Sequence, residues 1–162
     1  MGSDRVRARI IGVGNPLMRD DGFGPRVIEA LQRRGVPEGV EAVDAGVGGV
    51  TLVGLLEGVA RVLLIDAVRM GAPPGALRMF PLKGGGTKQP AHFSLHETRL
   101  RSVVDFADAL GIRPEIVVLG VEPEAVEAGL GLSLAVEGAV AEAIELVLCH
   151  IGKTSAEVQD GR

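Results

Sequence analysis

Four aspartates in this 162-residue chain fall directly beside apolar runs or inside glycine-rich turns, where a carboxylate is available for chemistry. Asp20 and Asp21 lie in Gly12-Val-Gly-Asn-Pro-Leu-Met-Arg-Asp-Asp-Gly-Phe-Gly24, Asp44 opens Asp44-Ala-Gly-Val-Gly-Gly49, and Asp66 closes Arg61-Val-Leu-Leu-Ile-Asp66. Aspartate is poor in strands and costly to bury without partners. Asp66, at the end of so apolar a run, therefore reads as a site residue. An acid ahead of a helix also answers free N–H groups and the helix dipole. One of the Asp20–Asp21 pair is expected to do that, and Asp21 is the better candidate for chemistry. Asp44 reads equally well as ordinary turn chemistry.

His96 joins them. Ser94-Leu-His-Glu97 fits a capping box, with Ser94 as cap and Glu97 reaching back, which puts His96 in a first helical turn. The positive end of the dipole there keeps the imidazole neutral and able to ligate. His92 would share a helical face with His96, but Pro90 and Ser94 place the helix start after it, so His92 reads as a loop histidine and His150 as a surface one. Carboxylates and an imidazole from separate loops suit a borderline divalent ion such as zinc, nickel, cobalt or iron. Three protein ligands would leave positions open for a partner's atoms. The residues alone thus point to metal handling or to acid-based hydrolysis.

Other chemistries find no support. There is no Gly-x-Ser-x-Gly elbow and no lysine-bearing phosphate loop, and Leu17 stands where a dinucleotide fingerprint needs its third glycine. A single cysteine, Cys149, excludes a disulfide framework and a cysteine zinc site, and in its apolar stretch it reads as a small buried hydrophobe. Four phenylalanines, no tyrosine and no tryptophan cannot build a base-stacking platform, and a net charge of −4 disfavours a phosphate backbone. Nucleic acid is not an expected partner. No signal peptide, lipidation motif or membrane-length apolar run is visible, so a soluble, cytoplasmic protein is expected.

The elements that must position these residues alternate. Strands are predicted at Arg5–Val13, Val40–Asp44, Arg61–Asp66 and Glu115–Val121, with an edge strand at Ala76–Leu82. Helices are predicted from Phe23 to a stop at Gly35, over Thr51–Leu56, Leu95–Leu110 and Leu134–His150, with a loop at Lys83–Ala91. Such alternation implies a single α/β domain, a mostly parallel twisted sheet sandwiched between helices in three layers. Residues 1–151 would form it, and 152–162 a polar, frayed tail. Ligands of such sheets sit beyond the carboxyl ends of the strands, where the acids fall. Ten of the 24 glycines, at positions 12, 14, 22, 24, 46, 48, 49, 84, 85 and 86, crowd the same loops and read as clearance around the acidic site.

At these residues the chain resembles the hydrogenase maturation endopeptidases, which process the large subunit of nickel–iron hydrogenases. Gly12–Gly24 resembles their N-terminal signature, Asp44–Gly49 and Ile65-Asp66-Ala67 their next blocks, Ser94-Leu-His96 their histidine, and Gly120-Val-Glu-Pro-Glu124 with Gly129-Leu-Gly-Leu-Ser133 their late block. The likeness runs from about Arg9 to Leu148. It implies removal of a C-terminal extension from the large-subunit precursor after nickel insertion. It puts metal binding on Asp21, Asp66 and His96, with Glu replacing the first in some members. Nickel would be supplied by the precursor rather than held permanently. Asp21 and Asp66 are the expected catalytic residues of an aspartyl-type endopeptidase, and Asn15, Asp44 and Gly46 the expected substrate contacts, Asn15 also as an oxyanion donor. A monomer is expected. A nickel-dependent escort that recognises the precursor without cutting it, and a metallohydrolase of another substrate, use the same ligands.

Overall fold

A computed structural model describes residues 6–83 and 95–159, of which 95–98 and 154–159 are described by backbone alone. Five strands, β1 (Ala8–Gly12), β2 (Val40–Asp44), β3 (Arg61–Ala67), β4 (Leu77–Pro81) and β5 (Glu115–Val121), form one sheet in the order β2-β1-β3-β5-β4. β1, β2, β3 and β5 are parallel, and β4 runs antiparallel along β5 at the edge. The strand most apolar in sequence, β3, is central and buried from Val62 to Ala67, as a strand covered on both faces must be.

Helices α1 (Phe23–Arg34), α2 (Val50–Leu56), α3 (Leu95–Ala109), α4 (Leu134–Gly138) and α5 (Val140–Gln159) cover the two faces. Alternation along each strand divides the core. Ile10, Leu63, Ile65 and Leu119 pack with Phe23, Val27 and Leu31 of α1 and Val140, Ala143 and Val147 of α5. Ile11, Val62, Leu64 and Val118 pack with Leu52 and Leu56 of α2 and Leu100 and Val104 of α3. This is the expected three-layer α/β architecture. α1 stops at Gly35, whose φ of 90° and N–H to the Leu31 carbonyl (2.8 Å) turn the chain away.

Three expectations change. The predicted helix over Leu134–His150 is two, because a turn at Ala139 interrupts it between α4 and α5. α5 then continues past Gly152 to Gln159 where a frayed tail is expected: Lys153, Ala156 and Glu157 are good helix formers. Cys149 is exposed, not buried. The inward face of α5 is taken by Val140, Ala143, Val147 and Ile151, and a residue two positions from both Val147 and Ile151 points away from it. Among the described residues no helix is long and apolar enough to cross a membrane.

Candidate active site

β2 and β3 lie on opposite sides of β1, so the connections leaving β1 and β3 diverge at the carboxyl edge and open a crevice between them. Asp66 stands there. It lies inside β3, one residue before the strand ends, and is fully buried. Alternation sets its direction: Val62 and Leu64 face α2 and α3, and so does Asp66. Its Oδ1 accepts the Ala67 N–H at 2.8 Å.

The loop after β1 ends in a 3₁₀ turn, Arg19–Gly22, that packs on β3 and carries both Asp20 and Asp21. Asp21 is buried, and its Oδ2 accepts the Asn15 N–H at 2.9 Å, fixing the carboxylate before any ligand arrives. Glycine makes this close fold-back possible. A Cβ on Gly14 would fall 1.8 Å from the Asp21 carbonyl oxygen, and one on Gly24 would fall 2.4 Å from the Val13 oxygen and 2.5 Å from that of Ile65. Gly12 and Gly22 are likewise filled by neighbouring backbone or side chain. These four glycines give no clearance to a ligand; they let the chain pack on itself. Gly46 and Gly49, both with positive φ, do border open space, while Gly48, also with positive φ, lies in ordinary contact distance of the Val13 and Leu52 side chains.

Asp20 has a different task from the cap expected of one of the pair. The 3₁₀ turn has no side-chain cap. The fully buried Asp20 carboxylate instead reaches the connection after β5, accepting N–H groups of Glu124 (2.8 Å), Ala125 (2.9 Å) and Ser133 (2.6 Å) and the Ser133 hydroxyl (2.9 Å). Burial pushes this carboxyl up, but the four donors outweigh it and hold it below its ordinary value of 3.8. Glu122 does similar work on the β3–β4 connection, where its Oε2 takes the N–H groups of Met70 and Ala72.

α3 precedes the parallel strand β5, so its first turn lies at the carboxyl edge and brings His96 to the crevice side. Ser94, expected as the cap, His92, the Lys83–Ala91 loop beyond Lys83 and Gly84–Gly86 lie outside the described residues. A cleft of about 410 Å³ at this edge is lined by Asp66, Gly48, Gly49, Val47 and the α3 residues Arg99, Ser102 and Val103. Sequence reasoning missed Arg99. It lies one turn after His96, and that spacing is the available signal.

Of the remaining proposed contacts, Asn15 and Gly46 lie on the loops after β1 and β2, and Asp44 ends β2. Asn15 Oδ1 accepts the Leu17 N–H (3.0 Å), which leaves Nδ2 as the donor able to serve a substrate. Gly46 donates to Asp44 Oδ1 (2.8 Å) and accepts from Gly14 N–H (2.7 Å), joining the loops after β1 and β2. Asp44 is exposed and lines a separate cleft of about 500 Å³ on the α1 side, not the one holding Asp66. Among the described residues no three acidic, histidine or cysteine side chains converge on an ion site.

The sequence profile of the HycI hydrogenase maturation proteases matches residues 25–150. This chain belongs to the hydrogenase maturation protease family. It is thereby grouped with peptide hydrolases. The hydrogenase 2 maturation protease of Escherichia coli K12 is 31% identical over 159 residues, 94% of each chain. The structure of the hydrogenase maturating endopeptidase HybD from E. coli shares 29% identity and a TM-score of 0.79, covering 91% of this chain and 93% of that one. The hydrogenase expression/formation protein HupD of Bradyrhizobium diazoefficiens is 37% identical over 124 residues, and the match spans 62% of its length.

Proposed function

We propose that this protein is an endopeptidase that removes a C-terminal extension from the nickel-loaded large-subunit precursor of a nickel–iron hydrogenase. The carrying observation is the pairing of two buried aspartates from different connections, Asp66 on β3 and Asp21 on the turn packed against it, at the sheet's switch point. Family membership supports the substrate class. Nickel, brought by the precursor's own ligands, takes up Asp21, Asp66 and His96 as further ligands. The extension is then held beside the carboxylates at high effective concentration, and metal loading gates the cut. The ion as Lewis acid and an aspartate as general base are the two groups available to activate water. Nδ2 of Asn15 and the backbone of Gly46–Gly49 steady the peptide. The protein acts as a monomer in the cytoplasm and holds no nickel of its own at rest.

The test mixes the protein with a large-subunit precursor, nickel-loaded or metal-free, and weighs the large subunit by mass spectrometry. Loss of a C-terminal peptide in the loaded sample alone is expected. Asp21→Asn, Asp66→Asn and His96→Ala each abolish the loss. An unchanged mass with the loaded precursor refutes cleavage and leaves the escort reading, and full activity of the variants refutes the metal checkpoint.

A further inference from the structure

Arg19 holds a left-handed backbone, φ 51°, and is the one non-glycine residue with positive φ among the described residues. At twelve other positive-φ positions there the chain uses glycine, which takes that conformation without steric cost. At position 19 a long cationic side chain is carried in its place. The frame around it is rigid. The Arg19 N–H donates to the Gly129 carbonyl (3.0 Å), Met18 bridges Gly129, and the next residue, Asp20, takes four hydrogen bonds. The arginine stem lies across Gly129, where a Cβ would fall 2.8 Å from its Cδ.

The guanidinium is not consumed inside the protein. Its buried Nε meets no acceptor, and Arg19 makes no ion pair among the described residues, whereas Arg9, Arg26, Arg33 and Arg34 each meet a glutamate. Arg19 lines the 500 Å³ cleft together with Pro16, Gly22, Pro25, Gly131 and Leu132. Of the other charges in its wall, Arg26 answers Glu137 and Glu29 answers Arg33. Arg19 and Asp44 are left without an ion pair among the described residues. Arg19 and Gly22 of this wall belong to the same 3₁₀ turn as Asp21, two residues and one residue from it.

We propose that this cleft is a peptide subsite in which Arg19 receives a carboxylate of the extension being removed. The inference rests on the endopeptidase reading. A planar guanidinium fork matches a carboxylate in two parallel hydrogen bonds, and a preset side chain loses little freedom in making them. Asp44, at the end of β2 in the same cleft, repels a second acid and so favours a segment with its carboxylate toward Arg19. The carboxylate is either the chain terminus of the extension or an acidic side chain within it.

The experiment compares wild type, Arg19→Gln and Arg19→Gly on the nickel-loaded precursor. Arg19→Gln raises KM about tenfold with kcat unchanged, as for one charge-assisted contact. A precursor with its extension neutralised raises the wild-type KM equally, and Arg19→Gln adds nothing further to it. Amidating the terminus alone, or replacing the extension's Asp and Glu by Asn and Gln alone, identifies the source. Arg19→Gly has the same raised KM, with a thermal unfolding midpoint no lower than wild type. Equal KM values, a fall in kcat at constant KM, or a lowered midpoint in Arg19→Gly each overturn the proposal. If wild type cuts no precursor, the endopeptidase reading fails by itself. Calorimetric titration of a synthetic extension peptide then decides the subsite: tenfold weaker binding to Arg19→Gln supports it, and equal binding overturns it.

Discussion

Replacing Asp20 by asparagine keeps the shape of the side chain and removes one acceptor and the charge. In the wild type four donors converge on the carboxylate, three on Oδ2 and one, the Ser133 N–H, on Oδ1. The amide introduced by Asp20→Asn must face donors whichever way it turns. Its better orientation puts the amide nitrogen toward the Ser133 N–H, losing one bond of 2.6 Å and weakening the other three. A buried donor left without a partner costs about 1–3 kcal/mol, and bonds to a charged acceptor are about twice as strong as neutral ones. The expected loss is therefore roughly 2–4 kcal/mol, read as a lower urea midpoint at constant slope. The acid limb gives a second, independent readout. The folded-state carboxyl lies below 3.8, so its contribution is fully present above that value and is lost as pH falls through the lowered folded value. Wild type and Asp20→Asn should differ most near neutrality and converge in strong acid. A difference that stays constant down to the most acid conditions in which both fold, or no difference at neutrality, refutes the assignment of Asp20 as the tie between the two connections.

Two further outcomes follow from packing. Gly24→Ala drives a Cβ to within 2.4–2.5 Å of two backbone oxygens and should lower stability by about 1–3 kcal/mol, whereas Gly138→Ala meets nothing within 4 Å in α4 and should leave it equal or raise it by about 0.5–1 kcal/mol; urea melts of both separate packing from propensity. Cys149, exposed on α5, should react with a thiol reagent in the native protein without prior unfolding; protection until unfolding would mean that α5 is turned differently.

Local pattern carries the fold far. β2 and β5 fall on the predicted residues, because apolar runs bounded by Gly, Pro and Asp leave little freedom in where a strand starts and stops. Asp66 is legible for the same reason, as an acid out of place in an apolar strand. What stays hidden depends on contacts distant in sequence. The partners of Asp20 lie more than 100 residues away, so nothing near Asp20-Asp21 announces which of the two is tied to the connection after β5. Cys149 reads as buried only while its stretch is taken as uniformly apolar; Val147 and Ile151 fix the inward face, and Cys149 lies off it.

The glycines show how local and distant information combine. Read as composition they suggest room for a ligand, yet Gly12, Gly14, Gly22 and Gly24 are occupied from the protein's own side. Their effect is to draw the loop after β1 down onto β3, so that Asp21 is held where Asp66 emerges. The same loop is fastened from the other end: the Leu17 carbonyl takes the Gly129 N–H, the Arg19 N–H reaches Gly129, and Asp20 takes Ser133. The N-terminal signature and the late block, more than 90 residues apart in the chain, are thus one hydrogen-bonded unit. Its middle residues divide the labour. Asp20 anchors, Asp21 is held by the Asn15 N–H on the turn packed against β3, and Arg19, with its left-handed backbone, lines the neighbouring cleft. A change at Ser133 or Gly129 therefore acts on the site through Asp20 and Arg19.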